Sequence, residues 1–187
     1  MFPRAYLLKP GSILKDDSGT ILDARSSVTL ISTDTRRIIV DTGLKGEEEI
    51  IIERLAESGL NPEDIDSVIN THAHQDHTGN NFLFSSAKVL SPKEGDLIVP
   101  GVKIMDTPGH STDSISVVVE SQNVVVLAGD ALPTFSNYVK GVPPAHHVDR
   151  GMACRSMSRI LKIADVVIPG HDSPFSVRDK AYAGLQY

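Results

Sequence analysis

Three histidines and one aspartate lie within a stretch of six consecutive residues, shortly after a short apolar run. Unpaired imidazoles and carboxylates are costly to bury, and a solvated loop gains nothing from gathering them. Both groups are, however, ligand types that suit zinc, iron and manganese. The cluster therefore predicts a metal site. Its side chains are His72, His74, Asp76 and His77.

The same arrangement of an apolar run followed by a metal-binding side chain recurs along the sequence. A single aspartate or histidine after a strand is more typical of a turn or a cap. Five such groups at equivalent places indicate a site assembled from loops at one edge of a sheet. The five are Asp41, the cluster at residues 72–77, His110, Asp130 and His171.

The elements that must carry these groups can be predicted from hydrophobic periodicity. Apolar residues at helical spacing predict helices at about residues 47–58 and 150–163, with a short helix over 76–84. Between and before them, β-branched runs predict strands, so a two-layered β core flanked by helices is expected. The predicted strands are residues 28–32, 37–40, 65–70, 88–90, 97–99, 102–105, 114–119, 124–128 and 165–168.

Each of the two longer helices has an apolar stripe that is expected to face the core. The predicted stripes are Ile50, Ile51, Ile52 and Leu55 in the first helix, and Met152, Met157, Ile160 and Leu161 in the second.

Length, charge and cysteine usage restrict the class of protein. We expect residues 1–187 to form a single well-cored domain. The net charge of −6 argues against nucleic acid as the main partner, because phosphate binding draws on a basic surface. Cys154 is the only cysteine, so no disulfide forms within the chain. Without a signal-peptide pattern or an apolar window of about 18 residues, we expect a cytoplasmic protein with no membrane partner.

The cluster reads His72-Ala73-His74-Gln75-Asp76-His77 and resembles the His-x-His-x-Asp-His signature of the metallo-β-lactamase superfamily. The order of the remaining groups also resembles that family from about residue 25 to about residue 175. The resemblance implies an α+β fold, a four-layered αββα sandwich with the site at one edge of the β layers.

The resemblance also implies two metal ions and a role for each group. Asp130 would bridge the two ions, and Asp41 would orient ligands or the loop that bears them. The first ion would be held by His72, His74 and His110. The second ion would be held by Asp76, His77 and His171.

A centre of this kind implies hydrolysis. Three protein ligands per ion leave positions open for water, which is typical of catalytic sites. Two divalent ions roughly 3.5–4 Å apart can share a bridging hydroxide, and the metal lowers the pKa of bound water from 15.7 to about 7. Asp76 is the expected catalytic residue, because it can bind metal and also accept a hydrogen bond from that hydroxide.

Departures from other branches of the superfamily narrow the reaction. An aspartate at position 130 resembles the glyoxalase II and ribonuclease Z type, whereas members that destroy β-lactams commonly have cysteine there. His74 argues against the diiron oxygen reductases, which have glutamate at that place. We expect neither the glutathione-binding helical domain of glyoxalase II nor the large insert of the mRNA-processing nucleases. Residues 107–110 and 164–171 resemble a group of short single-domain members.

The sequence therefore predicts a binuclear metal-dependent hydrolase, glyoxalase II-like, whose partner is a small-molecule ester, thioester or lactone. Zinc is the expected metal, with iron or manganese as alternatives, because imidazole and carboxylate accept each of them. A phosphodiesterase or ribonuclease with the same metal site, and a non-catalytic metal-binding protein, are the alternative functions. The oligomeric state is left open, with a homodimer as one option.

Three further side chains are candidate substrate contacts. They lie in the proline-containing segment after Asp130, where loops of the family line the substrate cleft. They are His146, His147 and Tyr138.

Overall fold

A computed structural model describes residues 2–184, and its strands form two main sheets and one separate hairpin. The strands are β1 (Arg4–Lys9), β2 (Ser12–Lys15), β3 (Ile21–Arg25), β4 (Val28–Ser32), β5 (Arg37–Val40), β6 (Ser67–Ile69), β7 (Lys88–Leu90), β8 (Leu97–Val99), β9 (Val102–Asp106), β10 (Ile115–Glu120), β11 (Val124–Gly129), β12 (Val166–Pro169), β13 (Phe175–Ser176) and β14 (Ala181–Tyr182). The helices are α1 (Glu48–Glu57), α2 (Gln75–Thr78), α3 (Phe135–Lys140) and α4 (Arg150–Ile163), with 3-10 turns at Pro62–Asp64 and Asn81–Phe84.

The first sheet has the strand order β1-β4-β5-β6-β7, and the second has the order β14-β13-β12-β11-β10-β9-β8. Each sheet contains a parallel pair. In the first sheet β5 runs parallel to β6, with Val40 opposite Ile69. In the second sheet β11 runs parallel to β12, with Gly129 opposite Pro169. Parallel pairing places the carboxyl ends of both strands at the same edge of the sheet, so the loops that follow them are neighbours.

Three hydrophobic clusters define four layers. One cluster lies between the two sheets and includes Ile31, Ile69 and Val117. A second packs the outer face of the first sheet against α1, and a third packs the outer face of the second sheet against α4. Strands with both faces covered are apolar at nearly every position, which explains the continuous Val and Ile runs. The expected four-layered αββα sandwich of the α+β class is confirmed.

Both long helices are present within one or two residues of their predicted bounds, but their buried stripes are narrower than predicted. In α1, Ile51 is buried, whereas Ile50 is 37% exposed and Ile52 is 42% exposed. Neighbouring helical positions point about 100° apart, so a helix that touches a sheet along one line cannot bury three in succession. In α4, Ile160 is buried, but Met152 is 38% exposed.

Local hydrogen bonds fix where α4 begins. Asp149 precedes the helix with an extended backbone, and its side chain accepts a hydrogen bond from the backbone N–H of Met152 at 2.7 Å. Such a cap satisfies an N–H group that the first turn of a helix leaves without a partner. The helix runs to Ile163 and returns the chain to β12.

Several elements were absent from the sequence-based prediction. They are β1, the β2–β3 hairpin, α3 and the short strands β13 and β14. The predicted strand at residues 65–70 is shorter, at Ser67–Ile69, and the predicted helix at residues 76–84 divides into α2 and a 3-10 turn.

Within residues 2–184, no helix is long and apolar enough to cross a membrane.

Candidate metal centre

The metal-binding side chains predicted from the sequence meet at the edge where the parallel strands end. Three overlapping groups place one ligand atom per residue within 4.8 Å of one another. Asp41 lies behind the cluster and contacts it without being part of any group. The groups are His72 with His74 and His110, His72 with His77 and Asp130, and Asp76 with His77 and His171.

The first group is centred on His74. Its Nδ1 lies 3.0 Å from Nε2 of His72 and 3.1 Å from Nε2 of His110. The imidazole of His74 is exposed, whereas the other two are buried. Three imidazole nitrogens that face one another at this distance form a donor set suited to a single divalent cation with an open position.

The Asp130 carboxylate lies between the two outer groups. Its Oδ2 is 3.3 Å from Nε2 of His110, and its Oδ1 is 3.4 Å from Nε2 of His77 and 3.1 Å from Nε2 of His171. On the far side, Oδ2 of Asp76 is 3.5 Å from Nε2 of His171 and 3.7 Å from Nε2 of His77. One carboxylate therefore faces imidazoles of both groups.

Two buried atoms in this cluster show that the donor set fits a cation. Nε2 of His77 and Oδ1 of Asp130 are fully buried and make no hydrogen bond within the described residues. Buried polar atoms are normally satisfied, because leaving one without a partner costs about 1–3 kcal/mol. A neutral nitrogen and a carboxylate oxygen are both suitable zinc ligands, and a divalent cation would satisfy both.

Hydrogen bonds behind the cluster fix the orientation of the imidazole rings. Nδ1 of His110 lies 2.8 Å from the backbone oxygen of His146, and Nδ1 of His171 lies 3.0 Å from the backbone oxygen of Arg25. A carbonyl oxygen only accepts, so each Nδ1 carries a proton and donates it. The Nε2 lone pair of both rings is then directed into the cluster, as a metal ligand requires.

Asp41 orients the His77 ring and the loop before it. Its Oδ2 is 2.7 Å from Nδ1 of His77, and both of its oxygens accept hydrogen bonds from Thr71, one from the backbone N–H and one from the hydroxyl. The backbone of Asp41 has a φ of +56°, a left-handed conformation that non-glycine residues seldom adopt. This strained turn lets β5 end with its carboxylate aimed at the neighbouring strand end.

Burial and mutual charge set the protonation of the cluster. Burial, with the nearby imidazole of His77, lowers the pKa of His72 to about 2, so this ring is neutral. Burial also opposes the charged form of Asp130, but the imidazoles of His171 and His77 outweigh it and hold the pKa of Asp130 well below its usual range. For His77, burial is outweighed by the carboxylates of Asp41 and Asp130, which raise its pKa. A cation bound at Nε2 of His77 would displace the proton from that atom.

The cluster forms part of the wall of a cavity of about 700 Å³. Two further walls come from the β2–β3 hairpin, through Ile13 and Ile21, and from residues 142–146. The side chain of Asn137 holds the second wall, because its amide donates to the backbone oxygens of Val142 and Pro143, each at 3.1 Å. The cavity thus joins a polar end to largely apolar sides.

Of the three candidate substrate contacts, only His146 lines this cavity. His147 donates from Nδ1 to the backbone oxygen of Pro144 at 2.7 Å and does not line it. Tyr138 lies in α3, where its ring stacks on Phe175 and its hydroxyl donates to the backbone oxygen of Val177. Neither Tyr138 nor His147 is therefore among the residues that line this cavity, and α3 packs Tyr138 on the second sheet. A contact of either residue with substrate stays a prediction.

Two residues that sequence reasoning passed over are essential to the geometry. Thr71 connects Asp41 to the cluster, and its position directly before the first histidine was the available signal. Gly170 lies against Asp130, and a Cβ added to it would overlap the carboxylate and the backbone of Gly129. A glycine directly before His171 was the corresponding signal.

Comparison with known proteins supports this fold and identifies the family. The family model of the metallo-beta-lactamase superfamily matches residues 23–92. A protein of Methanocaldococcus jannaschii, named as a probable metallo-hydrolase, is 42% identical over 177 residues, which span 89% of this chain and 85% of that one. The chain therefore belongs to the metallo-beta-lactamase superfamily and is a metal-dependent hydrolase by family.

Two further relatives place the chain within that superfamily. Metallo-beta-lactamase domain-containing protein 1 of Xenopus laevis is 34% identical over 183 residues, spanning 87% of this chain and 77% of that one. This confirms the expected likeness of residues 107–110 and 164–171 to relatives within the superfamily, here metallo-beta-lactamase domain-containing protein 1. An N-acyl homoserine lactonase of Bacillus cereus is 28% identical over 233 residues, spanning 90% of this chain and 93% of that one.

Among solved structures, a metallo-beta-lactamase fold protein of Thermotoga maritima superposes with a TM-score of 0.76 at 21% identity. The match covers 94% of this chain and all of that one, and it supports the fold.

The close approach of Gly170 to Asp130 gives a direct test of the site. In Gly170→Ala the added methyl group must displace the carboxylate that faces both donor groups. We expect affinity for zinc to fall by at least about tenfold, the scale seen when a ligand's support is removed. Zinc titration of the metal-free protein against a chromophoric chelator measures this affinity.

Gly151→Ala is the matched control. Gly151 lies in α4, and a Cβ there would be 3.3 Å from the flexible end of Arg155 and 3.3 Å from Oδ1 of Asp149. Neither contact involves the donor cluster, so this variant should bind zinc as the wild type does. Unchanged zinc affinity in Gly170→Ala would contradict the assigned role of Asp130.

Proposed function

We propose that the chain is a hydrolase that binds two divalent cations, zinc foremost, and cleaves a small ester, thioester or lactone. The observation that carries this proposal is the cluster of facing imidazoles and carboxylates at the wall of a cavity, with two buried ligand-type atoms that make no hydrogen bond within residues 2–184. Membership of a hydrolase superfamily and similarity to a protein named as a lactonase support it.

In this proposal each donor group has a fixed assignment. Bound cations would supply Lewis acidity and a water molecule that ionises near neutral pH. Asp130 would contact both cations. The first cation would be bound by His72, His74 and His110, and the second by Asp76, His77 and His171.

Asp76 is proposed as the catalytic residue because it belongs to the donor cluster and also lines the cavity. Its carboxylate would accept a hydrogen bond from the attacking water and aim that water at the carbonyl carbon of the substrate. The proton that Asp76 takes up would then pass to the leaving alkoxide or thiolate. A carboxylate placed between the water and the leaving group suits this general acid–base role.

The cavity walls suit a substrate with an apolar part. The hairpin contributes Ile13, Ile21 and Ala24, and the second wall contributes Val142 and Pro143. Burying hydrocarbon against such walls is worth about 0.8 kcal/mol per CH₂ group. An acyl chain attached to the scissile carbonyl would gain this stabilisation while its ester end lies at the cluster.

Two lysines line the same cavity, Lys15 in β2 and Lys140 in the last turn of α3. Among the ion pairs within residues 2–184, none involves either lysine, although the chain as a whole carries a net charge of −6. We infer that the preferred substrate carries an anionic group in addition to the scissile bond.

Removal of two imidazoles tests the proposed function. The His72→Ala/His74→Ala double variant should lose zinc and lose at least 99% of hydrolysis of a thioester and lactone panel, since metal-assisted catalysis contributes factors well above about 100. Circular dichroism should show that the fold is kept. Zinc content is measured by mass spectrometry on the same samples.

His147→Ala serves as the control, because His147 lies outside the cavity lining. Full activity in the zinc-free double variant would contradict the proposal. Turnover of a phosphodiester or of RNA alone, with no carbonyl substrate cleaved, would favour the alternative phosphodiesterase function. Zinc binding without turnover of any substrate in the panel would favour a non-catalytic metal-binding protein.

The two lysines give a second test. For an acyl thioester that ends in a carboxylate, Lys15→Met and Lys140→Met should each raise KM by about two- to fivefold, the strength of an exposed ion pair. The KM for the methyl ester of the same compound should not change. Lys162→Met, in α4 and outside the cavity, is the matched control. Equal effects on the charged and neutral substrates would contradict the inferred anion preference.

A further inference from the structure

A buried ion pair lies outside the donor cluster and has no part in the proposed chemistry. Nζ of Lys9, at the end of β1, is 3.1 Å from Oε1 of Glu47, the residue before α1. Their side chains are only 8% and 7% exposed. Burial lowers the pKa of Lys9, and the carboxylate of Glu47 opposes that effect. Lysine and glutamate side chains are seldom buried to this extent unless they are paired.

On one side, the pair holds the segment that orients His171. Nζ of Lys9 donates to the backbone oxygen of Ser26 at 2.7 Å. Nη1 of Arg25 lies 3.4 Å from Oε1 of Glu47. The backbone oxygen of Arg25 is the acceptor for Nδ1 of His171. Ser27 also contacts the loop that carries His171, because its backbone N–H donates to the backbone oxygen of Gly170 at 2.8 Å. Residues 25–27 thus form a strap that the ion pair holds on one side and the His171 loop on the other.

On its other side, Glu47 holds the turn that orients His77. Its Oε2 accepts from the backbone N–H of Leu44 at 2.8 Å. The turn it closes, residues 41–44, contacts α2 at two places: Thr42 donates to the backbone oxygen of His77, and the N–H of Gly79 donates to Gly43. The same turn carries Asp41, which binds Nδ1 of His77. The Glu47 carboxylate therefore contributes to the contacts that orient His171 and to those that orient His77, and both histidines belong to the same donor group.

Two members of the first donor group are supported differently. His110 is oriented by the backbone oxygen of His146, which lines the cavity, and the exposed ring of His74 contacts its neighbours in the cluster through Nδ1. The third member, His72, is linked to the turn only indirectly, because its Nδ1 lies 3.2 Å from the hydroxyl of Thr71, which donates to Asp41. Among the hydrogen bonds and ion pairs within residues 2–184, none of His72, His74 and His110 contacts Lys9, Glu47 or the strap.

We propose that Glu47, together with Lys9, is a positioning element that sets the affinity of the cation held by Asp76, His77 and His171, and that it leaves the His72, His74 and His110 site largely unaffected. This inference rests on the proposed function, because it requires two cations. It assigns Glu47 a role through other residues and no contact with the substrate.

Zinc titration of the metal-free full-length chain against a chromophoric chelator tests the inference. The wild type should show two sites. Glu47→Gln keeps the shape of the side chain but removes its charge, so it leaves Lys9 buried without a counterion and loosens the strap. We expect one of the two zinc sites to lose affinity by about tenfold to 100-fold, as for other residues that support metal ligands. The other site should change by less than about threefold, within the scatter of such support effects.

Two further variants separate positioning from general loss of stability. Leu55→Ala removes a fully buried side chain from α1 without touching the strap or the turn, so it should lower the melting temperature and keep both zinc affinities. Lys9→Met/Glu47→Met removes both charges at similar volume, a change that often leaves stability intact. This double variant should still lose the second zinc, and it keeps the test available if Glu47→Gln does not fold.

The outcomes are distinct. Fewer than two zinc ions in the wild type would contradict the proposed function itself. Two ions in the wild type, with unchanged affinities in a folded Glu47→Gln or double variant, would overturn the positioning role alone. Equal loss of both sites in the Glu47 variants, or selective loss of the second site in Leu55→Ala, would likewise overturn it.

Discussion

Parallel pairing of β5 with β6 and of β11 with β12 is the constraint on which the site depends. Each pair ends at the same edge of its sheet, and the two sheets are packed face to face by the inter-sheet cluster. Asp41 and the histidine cluster follow one pair, and Asp130 and His171 follow the other. Asp130 and His171, which are 41 positions apart, are thus brought to 3.2 Å, and Nδ1 of His171 lies 3.0 Å from the backbone oxygen of Arg25, which is 146 positions away.

The imidazoles and carboxylates at that edge are costly to bury, and hydrogen bonds to the outer side of the imidazole rings offset part of that cost. Carbonyl oxygens of Arg25 and His146 accept from two of the rings, and the Asp41 carboxylate accepts from a third. These bonds determine which nitrogen of each ring faces inward. Within the cluster, as far as residues 2–184 show, Nε2 of His77 and Oδ1 of Asp130 are buried without a hydrogen bond, and both lie where cations would satisfy them. Apolar packing therefore supplies stability, and the outer hydrogen bonds supply the direction of the ligands.

The sequence predicted much of this arrangement because its strongest signals are local. Continuous Val and Ile runs identify strands covered on both faces, and the regular spacing of α4 identifies its bounds. The gathering of the cluster with His110, Asp130 and His171 followed from their repeated position after strands. Their division between two cations came from family resemblance, and it stays a prediction.

What the sequence did not indicate depends on tertiary contacts. Apolar and polar residues alternate only weakly in β2 and β3, so no clear hydrophobic pattern predicts these strands. They are defined by their pairing with each other. The helix α3 lies between prolines, and its aromatic residues, including Tyr138, pack on Phe175 far along the chain. Ile50 and Ile52 flank the buried Ile51 but are themselves exposed, because α1 touches the sheet along a narrow line. Such choices are made by packing partners and not by local propensity.

The central claim is that two cations share one edge of the sandwich. Anomalous diffraction at the zinc absorption edge, from crystals of the zinc-loaded protein, tests it directly. The account predicts two peaks about 3.5–4 Å apart, with Asp130 in contact with both. One peak should be bounded by His72, His74 and His110, and the other by Asp76, His77 and His171. A single peak, or zinc bound away from these side chains, would contradict the account.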